Sequence, residues 1–120
     1  MNIRIIGNSD YCNEIENKFI SNPSAKQLVD SISFTKDDGS ALSLPNVDTI
    51  IIDGSNIPLC QNIREANSST IMCVVFLQTD DSWMTREWKS IEAERFFYKN
   101  YPDEYLVYKI IECYKQSQTN

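Results

Sequence analysis

The stretch Asp48-Thr49-Ile50-Ile51-Ile52-Asp53 decides how this chain folds. Three consecutive β-branched residues favour a strand. An unbroken apolar run suits a strand covered on both faces, as in a parallel sheet. The run ends on Asp53, and Gly54-Ser55-Asn56-Ile57-Pro58 follows. A carboxylate thus stands where a central strand gives way to a loop, the edge at which open α/β sheets bind ligands. The plainer reading is that Asp53 starts the turn over Gly54.

Outward from this strand, apolar runs and turn residues alternate. Asn2–Ile6 reads as a first strand stopped by Gly7, with Asn8, Ser9 and Asp10 as capping candidates for a helix over Tyr11–Ser21. Cys12, Ile15 and Phe19 share that helix's inner face, with Ile20 at its margin. Asn22-Pro23-Ser24 is expected to end it. Alternation favours a strand over Leu28–Phe34, although the short aliphatic run also fits a helical turn. Lys36-Asp37-Asp38-Gly39 is a turn, and Ser40–Leu44 a stunted second helix closed by Pro45. Leu59–Ala66 reads as a short helix with Leu59, Ile63 and Ala66 inward, and Thr70–Leu77 as a second central strand. A helix over Trp83–Glu94 turns Trp88, Ile91 and Met84 to the sheet, and Arg95–Tyr98 is the final strand. Asp103 and Glu104 open the last helix, whose inner face is Leu106, Ile110 and Cys113 or Tyr114.

Strand and helix alternate five times, which predicts a (βα)5 α/β fold: a five-stranded parallel sheet, helices on both faces, the second helix truncated. Residues 1–116 form one domain in this reading, and 117–120 a polar tail or linker stub.

Net charge is -6 in 120 residues, so direct binding to nucleic acid by this domain is not expected. No run of 18 apolar residues predicts a membrane span, and a strand pattern begins by Ile3 where a signal peptide would lie; the expected location is cytoplasmic. The four cysteines form no C-x-x-C pair and histidine is absent, which disfavours zinc and a disulfide framework. Cys73 reads as core and Cys60 as the most exposed thiol.

Four polar features follow predicted strands: Asn8/Ser9/Asp10, Asp53, Thr79 and Lys99. A carboxylate flanked by a hydroxyl and an ammonium is a candidate nucleophile toward phosphorus. Asp10 and Asp53 are the acids available for Mg2+, a weak set for an ion that prefers octahedral oxygen coordination. The plainer readings are a cap or turn at Thr79 and an exposed, idle Lys99.

Taken together, these stretches resemble the receiver domain of bacterial response regulators. Asp48–Asp53 with Pro58 resembles that family's third strand, phosphoacceptor and following proline. Val74-Val-Phe-Leu-Gln-Thr79 resembles the fourth strand and its hydroxyl residue, and Arg95-Phe-Phe-Tyr-Lys99 the fifth strand and its lysine. The resemblance implies two-component signal transduction, with Asp53 as phosphoacceptor, Thr79 and Lys99 beside it, and an aromatic switch at Phe96 or Phe97. It also leaves room for a C-terminal output domain beyond Asn120, DNA-binding in a transcription regulator or enzymatic, without deciding whether one follows. The chain departs from the pattern at Gly7-Asn8-Ser9, where the family carries paired magnesium-binding acids, and in its late Pro58. These departures point to an atypical receiver, or pseudo-receiver, that needs no cofactor and regulates a protein partner by contact. Tyr101, Tyr105 and Tyr108 share one edge of the last helix. Core packing against the sheet is the plainer reading of some of them; an exposed stripe would instead suggest a homodimer through the face formed by the fourth and fifth helices. The competing readings are a flavodoxin-like enzyme or a phosphoryl carrier on Cys60, and a purely structural assembly domain. The lack of a Gly-rich phosphate loop weighs against nucleotide chemistry.

Overall fold

The computed structural model describes residues 1–35, 44, 46–55, 57–77, 91–98 and 101–118. Nine elements follow in chain order: β1 (Asn2–Ile6), α1 (Ser9–Ile20), α2 (Pro23–Leu28), β2 (Ser31–Thr35), β3 (Thr49–Asp53), α3 (Ile57–Ala66), β4 (Ile71–Val75), β5 (Arg95–Phe97) and α4 (Asp103–Gln118). The five strands form one sheet in the order β2-β1-β3-β4-β5. Every pairing is parallel. The isoleucine run is the middle strand, with Ile50, Ile51 and Ile52 at most 1% exposed.

Side-chain alternation splits the core in two. Ile3, Ile5, Ile51, Cys73, Val75 and Phe97 face α1 and α4, where Ile15, Phe19, Val107 and Ile110 meet them. Ile6, Ile50, Ile52, Met72 and Val74 face α3 on the opposite side, with Leu59, Cys60 and Ile63. Each fully buried aliphatic side chain contributes about 1.5–3 kcal/mol, so a middle strand apolar on both faces is held from both sides.

The amino-terminal edge of the sheet is braced by polar contacts. Asp48 accepts from Asn2 N through Oδ2 at 2.7 Å and donates its own N–H to Asn2 O. Glu94 Oε2 accepts from Met72 N at 2.6 Å and meets Arg64 Nη1 at 3.1 Å. The other terminal nitrogen of Arg64 donates to the carbonyls of Asn67, Ser68 and Thr70.

Several expected boundaries move. Asn22-Pro23 opens a helix instead of only ending one: Asn22 Oδ1 accepts from Ser24 N and Ala25 N, and proline at the first helical position loses no intrahelical bond. Leu28 therefore closes α2, and the expected Leu28–Phe34 strand shortens to Ser31–Thr35. The expected Trp83–Glu94 helix lies outside the described residues as far as residue 90. Ile91–Glu94 are not helical, because Glu92 takes φ 59°, which stops a right-handed helix. Ile91 does face the sheet, whereas Met84 and Trp88 lie outside the described residues. The Ser40–Leu44 helix also falls outside them, apart from Leu44, which is buried and donates its N–H to Asn67 Oδ1. In α3, Ala66 is exposed and Cys60 takes the inward place. The last helix continues through Gln118, past the expected start of the tail.

Gly54, just beyond β3, has no room for a side chain: a Cβ there would lie 2.3 Å from Phe76 Cε1. The Phe76 ring is itself stacked on Tyr98, with centroids 5.3 Å apart and planes inclined by 8°. Gly54→Ala is therefore expected to lower the urea midpoint, through overpacking of about 1–3 kcal/mol. An unchanged midpoint would show that the Phe76–Tyr98 stack yields freely.

Candidate functional site

The sheet order reverses between β1 and β3, since β1 connects outward to β2 and the chain then returns to β3 beside β1. Ligands of open α/β folds bind in the crevice outside such a reversal, at the carboxyl ends of the strands. Gly7, Asp53 and Phe76 stand at this crevice, immediately after or at the ends of β1, β3 and β4.

Asp53 is half-buried. Its Oδ1 accepts from Ser55 N at 3.1 Å, so the plain turn-forming role exists alongside any chemical one. Cys60 Sγ donates to its backbone carbonyl at 3.6 Å. Cys60 is fully buried, contrary to its expected exposure, and that burial weighs against a phosphoryl carrier there. The first turn of α3 carries it into the second core cluster under β3. Burial, and then the Asp53 charge, push its thiol up to about 12.

A residue overlooked in the sequence sits across the crevice. Tyr11 is buried, and its hydroxyl donates to Val75 O at 2.9 Å. The ring lies directly over Gly7, where a Cβ would come within 2.5 Å of Tyr11 Cδ1. Burial is the main cause, and the neighbouring Asp53 the next, that raise the Tyr11 phenol well above its ordinary range. A signal was present: Gly7 four residues before a tyrosine in the first turn of a helix permits this close approach. Periodicity alone put Cys12 and Ile15 on the inner face and left Tyr11 as a mere helix start.

The Asn8 side chain accepts from Tyr11 N at 2.8 Å as the α1 cap. Asp10 is exposed on the first turn of α1. Among the described residues no group of three histidine, cysteine, aspartate or glutamate side chains is placed to hold a metal ion. With Asn8 engaged as a cap and a phenol over the end of β1, the described donors do not fit an octahedral Mg2+. Thr79 and Lys99 lie outside the described residues. Of the aromatic switch candidates, Phe97 is buried in the α4-side core, and Phe96 packs half-buried on the α3 side.

Tyr105 and Tyr108 are 45% and 61% exposed, whereas Tyr101, 36% exposed, sets its ring against the buried Phe97 and Tyr98. Tyr101 and Tyr105 meet edge to face at 5.5 Å. Lys109 Nζ stands 5.7 Å from the ring centroids of both Tyr105 and Tyr108. No described helix is long and apolar enough to cross a membrane.

No protein-family model matches the chain. No curated protein matches it. Solved structures do. A CheY-like response regulator receiver domain protein from Methanospirillum hungatei JF-1 superposes with a TM-score of 0.74 at 9% identity, covering 98% of this chain and 96% of that one. The receiver domain of Francisella response regulator 1452 gives 0.67 at 20% identity, covering 97% and 98%. The BeF3-activated DrrB receiver domain gives 0.67 at 14%, covering 96% and 97%.

Because its thiol is protonated below about pH 12, Cys60 is expected to resist iodoacetamide at pH 8 in the folded protein and to react once urea unfolds the chain. Peptide mapping of the alkylated protein checks this; prompt labelling of native Cys60 would contradict the burial. At this identity the likeness is one of fold, and over nearly its whole length the chain has the CheY-like receiver-domain fold.

Proposed function

We propose that this domain is an atypical receiver-like signalling module that regulates a protein partner by contact, without metal-dependent phosphorylation and without catalytic turnover. The observation that carries this reading is Tyr11. Its ring covers Gly7 and its hydroxyl is tied to Val75 O, in the part of the crevice where a receiver would keep metal-binding acids. Asn8 is engaged as a helix cap in the same place. The contact surface in this proposal is the exposed Tyr105–Tyr108 edge of α4 with Tyr101 just before the helix, and Lys109 near the rings of Tyr105 and Tyr108. Tyrosine supplies large, semi-rigid contact area with a polar tip, which suits an interface. The favoured occupant is a second copy of the chain, in a cytoplasmic homodimer.

A second reading has one observation in its favour: Asp53 ends β3 beside the point where the sheet order reverses. In that reading Asp53 is a phosphoacceptor, Thr79 and Lys99 bind the phosphoryl oxygens, and Phe96 or Phe97 responds. The added charge would reposition the loop after β4.

One experiment separates the two. Beryllofluoride with Mg2+ is titrated into 15N-labelled protein, and acetyl phosphate into a parallel sample read by intact mass. Contact signalling predicts no saturable shift of the Asp53, Gly54 or Ser55 amides and no phosphorylated species. Saturable shifts with a phosphoryl group on Asp53 would reverse the choice. Sedimentation equilibrium tests the interface: Tyr105→Ala with Tyr108→Ala is expected to weaken self-association at least about tenfold, or 1.4 kcal/mol. An unchanged dimerisation constant would remove this face from consideration.

A further inference from the structure

The contacts of Tyr11 span three neighbouring strand ends. Its helix, α1, begins just after β1, and its ring lies against Gly7, where a Cβ would come within 2.5 Å of Tyr11 Cδ1 and 3.0 Å of Cγ. Its hydroxyl donates to Val75 O on β4 at 2.9 Å. Strand β3 stands between β1 and β4 in the sheet. Neighbouring strands lie about 4.8 Å apart, so the side chain crosses the end of β3 to join the strands on either side. The residue at that end is Asp53, the register partner of Val75.

Sheet alternation puts the Asp53 side chain beside this crossing. Ile51, two residues earlier, belongs to the α1-side core with Tyr11 and Val75, whereas Ile52 belongs to the α3-side core. Successive strand residues point to opposite faces, so Asp53 turns its carboxylate to the face that carries Tyr11. From α3, the Cys60 thiol is bonded to the Asp53 carbonyl. Tyr11 is 5% exposed, and its N–H donates to Asn8 Oδ1 at 2.8 Å. Burial raises its phenol above the ordinary range and so keeps the donor on the hydroxyl. Around it in α1, Ser9, Asp10 and Asn13 are exposed.

We propose that Tyr11 is a shutter over Asp53, closed in this structure. Ring and hydroxyl together shut the α1-side approach to the carboxylate. The approach opens when the bond to Val75 breaks and the first turn of α1 moves. The exposed Ser9, Asp10 and Asn13 are where a protein partner can act on that turn. Access to a covered group scales with the fraction of molecules in the open form. The shutter rests on the position of Tyr11 and holds under either reading of Asp53.

The test amidates the carboxyl groups of the whole folded chain with a water-soluble carbodiimide and glycinamide at pH 6. Peptide mapping follows Asp53 against Glu65, which is exposed on α3. In the unaltered protein Asp53 is expected to lag behind Glu65. Tyr11→Ala removes the ring and is expected to raise the Asp53-to-Glu65 ratio of rates at least about tenfold. Tyr11→Phe keeps the ring, loses the bond to Val75 and is expected to raise the ratio about threefold. Gly7→Ala displaces the ring without altering Tyr11 and is expected to act in the same direction. An Asp53 that keeps pace with Glu65 in the unaltered protein, or a ratio unchanged in the folded variants, would overturn the proposal. Tyr11→Phe, which removes a single oxygen, decides the matter if the other variants do not fold. The readout is access to the carboxyl group and not phosphorylation, so failure here leaves the two readings of Asp53 to the beryllofluoride titration.

Discussion

Strand β3 is sealed on both faces, by α1 and α4 on one side and α3 on the other, and this burial constrains everything around it. Buried backbone groups without partners are costly, so both edges of β3 must be paired. β1 and β4 pair with them in parallel, and β2 and β5 extend the sheet outward. Parallel neighbours require crossovers, which supply the covering helices. The same requirement puts Asp53 at the carboxyl edge, where the last ladder partner is Val75 and the chain turns away.

The two ends of the sheet are finished by different physics. At the amino end, Asp48, Glu94 and Arg64 pair directly with backbone groups. At the carboxyl end, aromatic rings lie on glycines: Tyr11 over Gly7, and Phe76, stacked on Tyr98, against Gly54. Glycine is required at these two positions because ring atoms occupy the space of a side chain. The crevice that in an open α/β sheet receives a ligand is thereby lined by rings as well as by the Asp53 carboxylate. Among the described residues, this rim sets aromatic rings beside the Asp53 carboxylate.

Helix α4 carries two distinct surfaces. Its inner stripe, Leu106, Val107, Ile110 and Ile111, is core, and Cys113 continues that stripe toward β4 and β5. Its outer edge shows Tyr105 and Tyr108 to solvent, with Lys109 close to both rings. The Lys18–Asp103 pair at 2.6 Å ties the start of that helix to α1.

The sequence determined the parallel sheet and its middle strands, because Ile50–Ile52 and Ile71–Val75 are apolar runs that only double-sided burial satisfies. It also marked the carboxylate at the end of β3 and the inward stripe of α1. It did not disclose α2, since Asn22-Pro23 ends one helix and caps the next, and proline serves either purpose. Nor did it disclose Tyr11 and Cys60 flanking Asp53, or Arg95 pairing with Cys73 across β4 and β5. Those contacts join residues dozens of positions apart, and periodicity reports only which side of its own element a residue occupies. Which side chains meet across elements was decided by strand order, register and helix docking, and these belong to the tertiary structure alone.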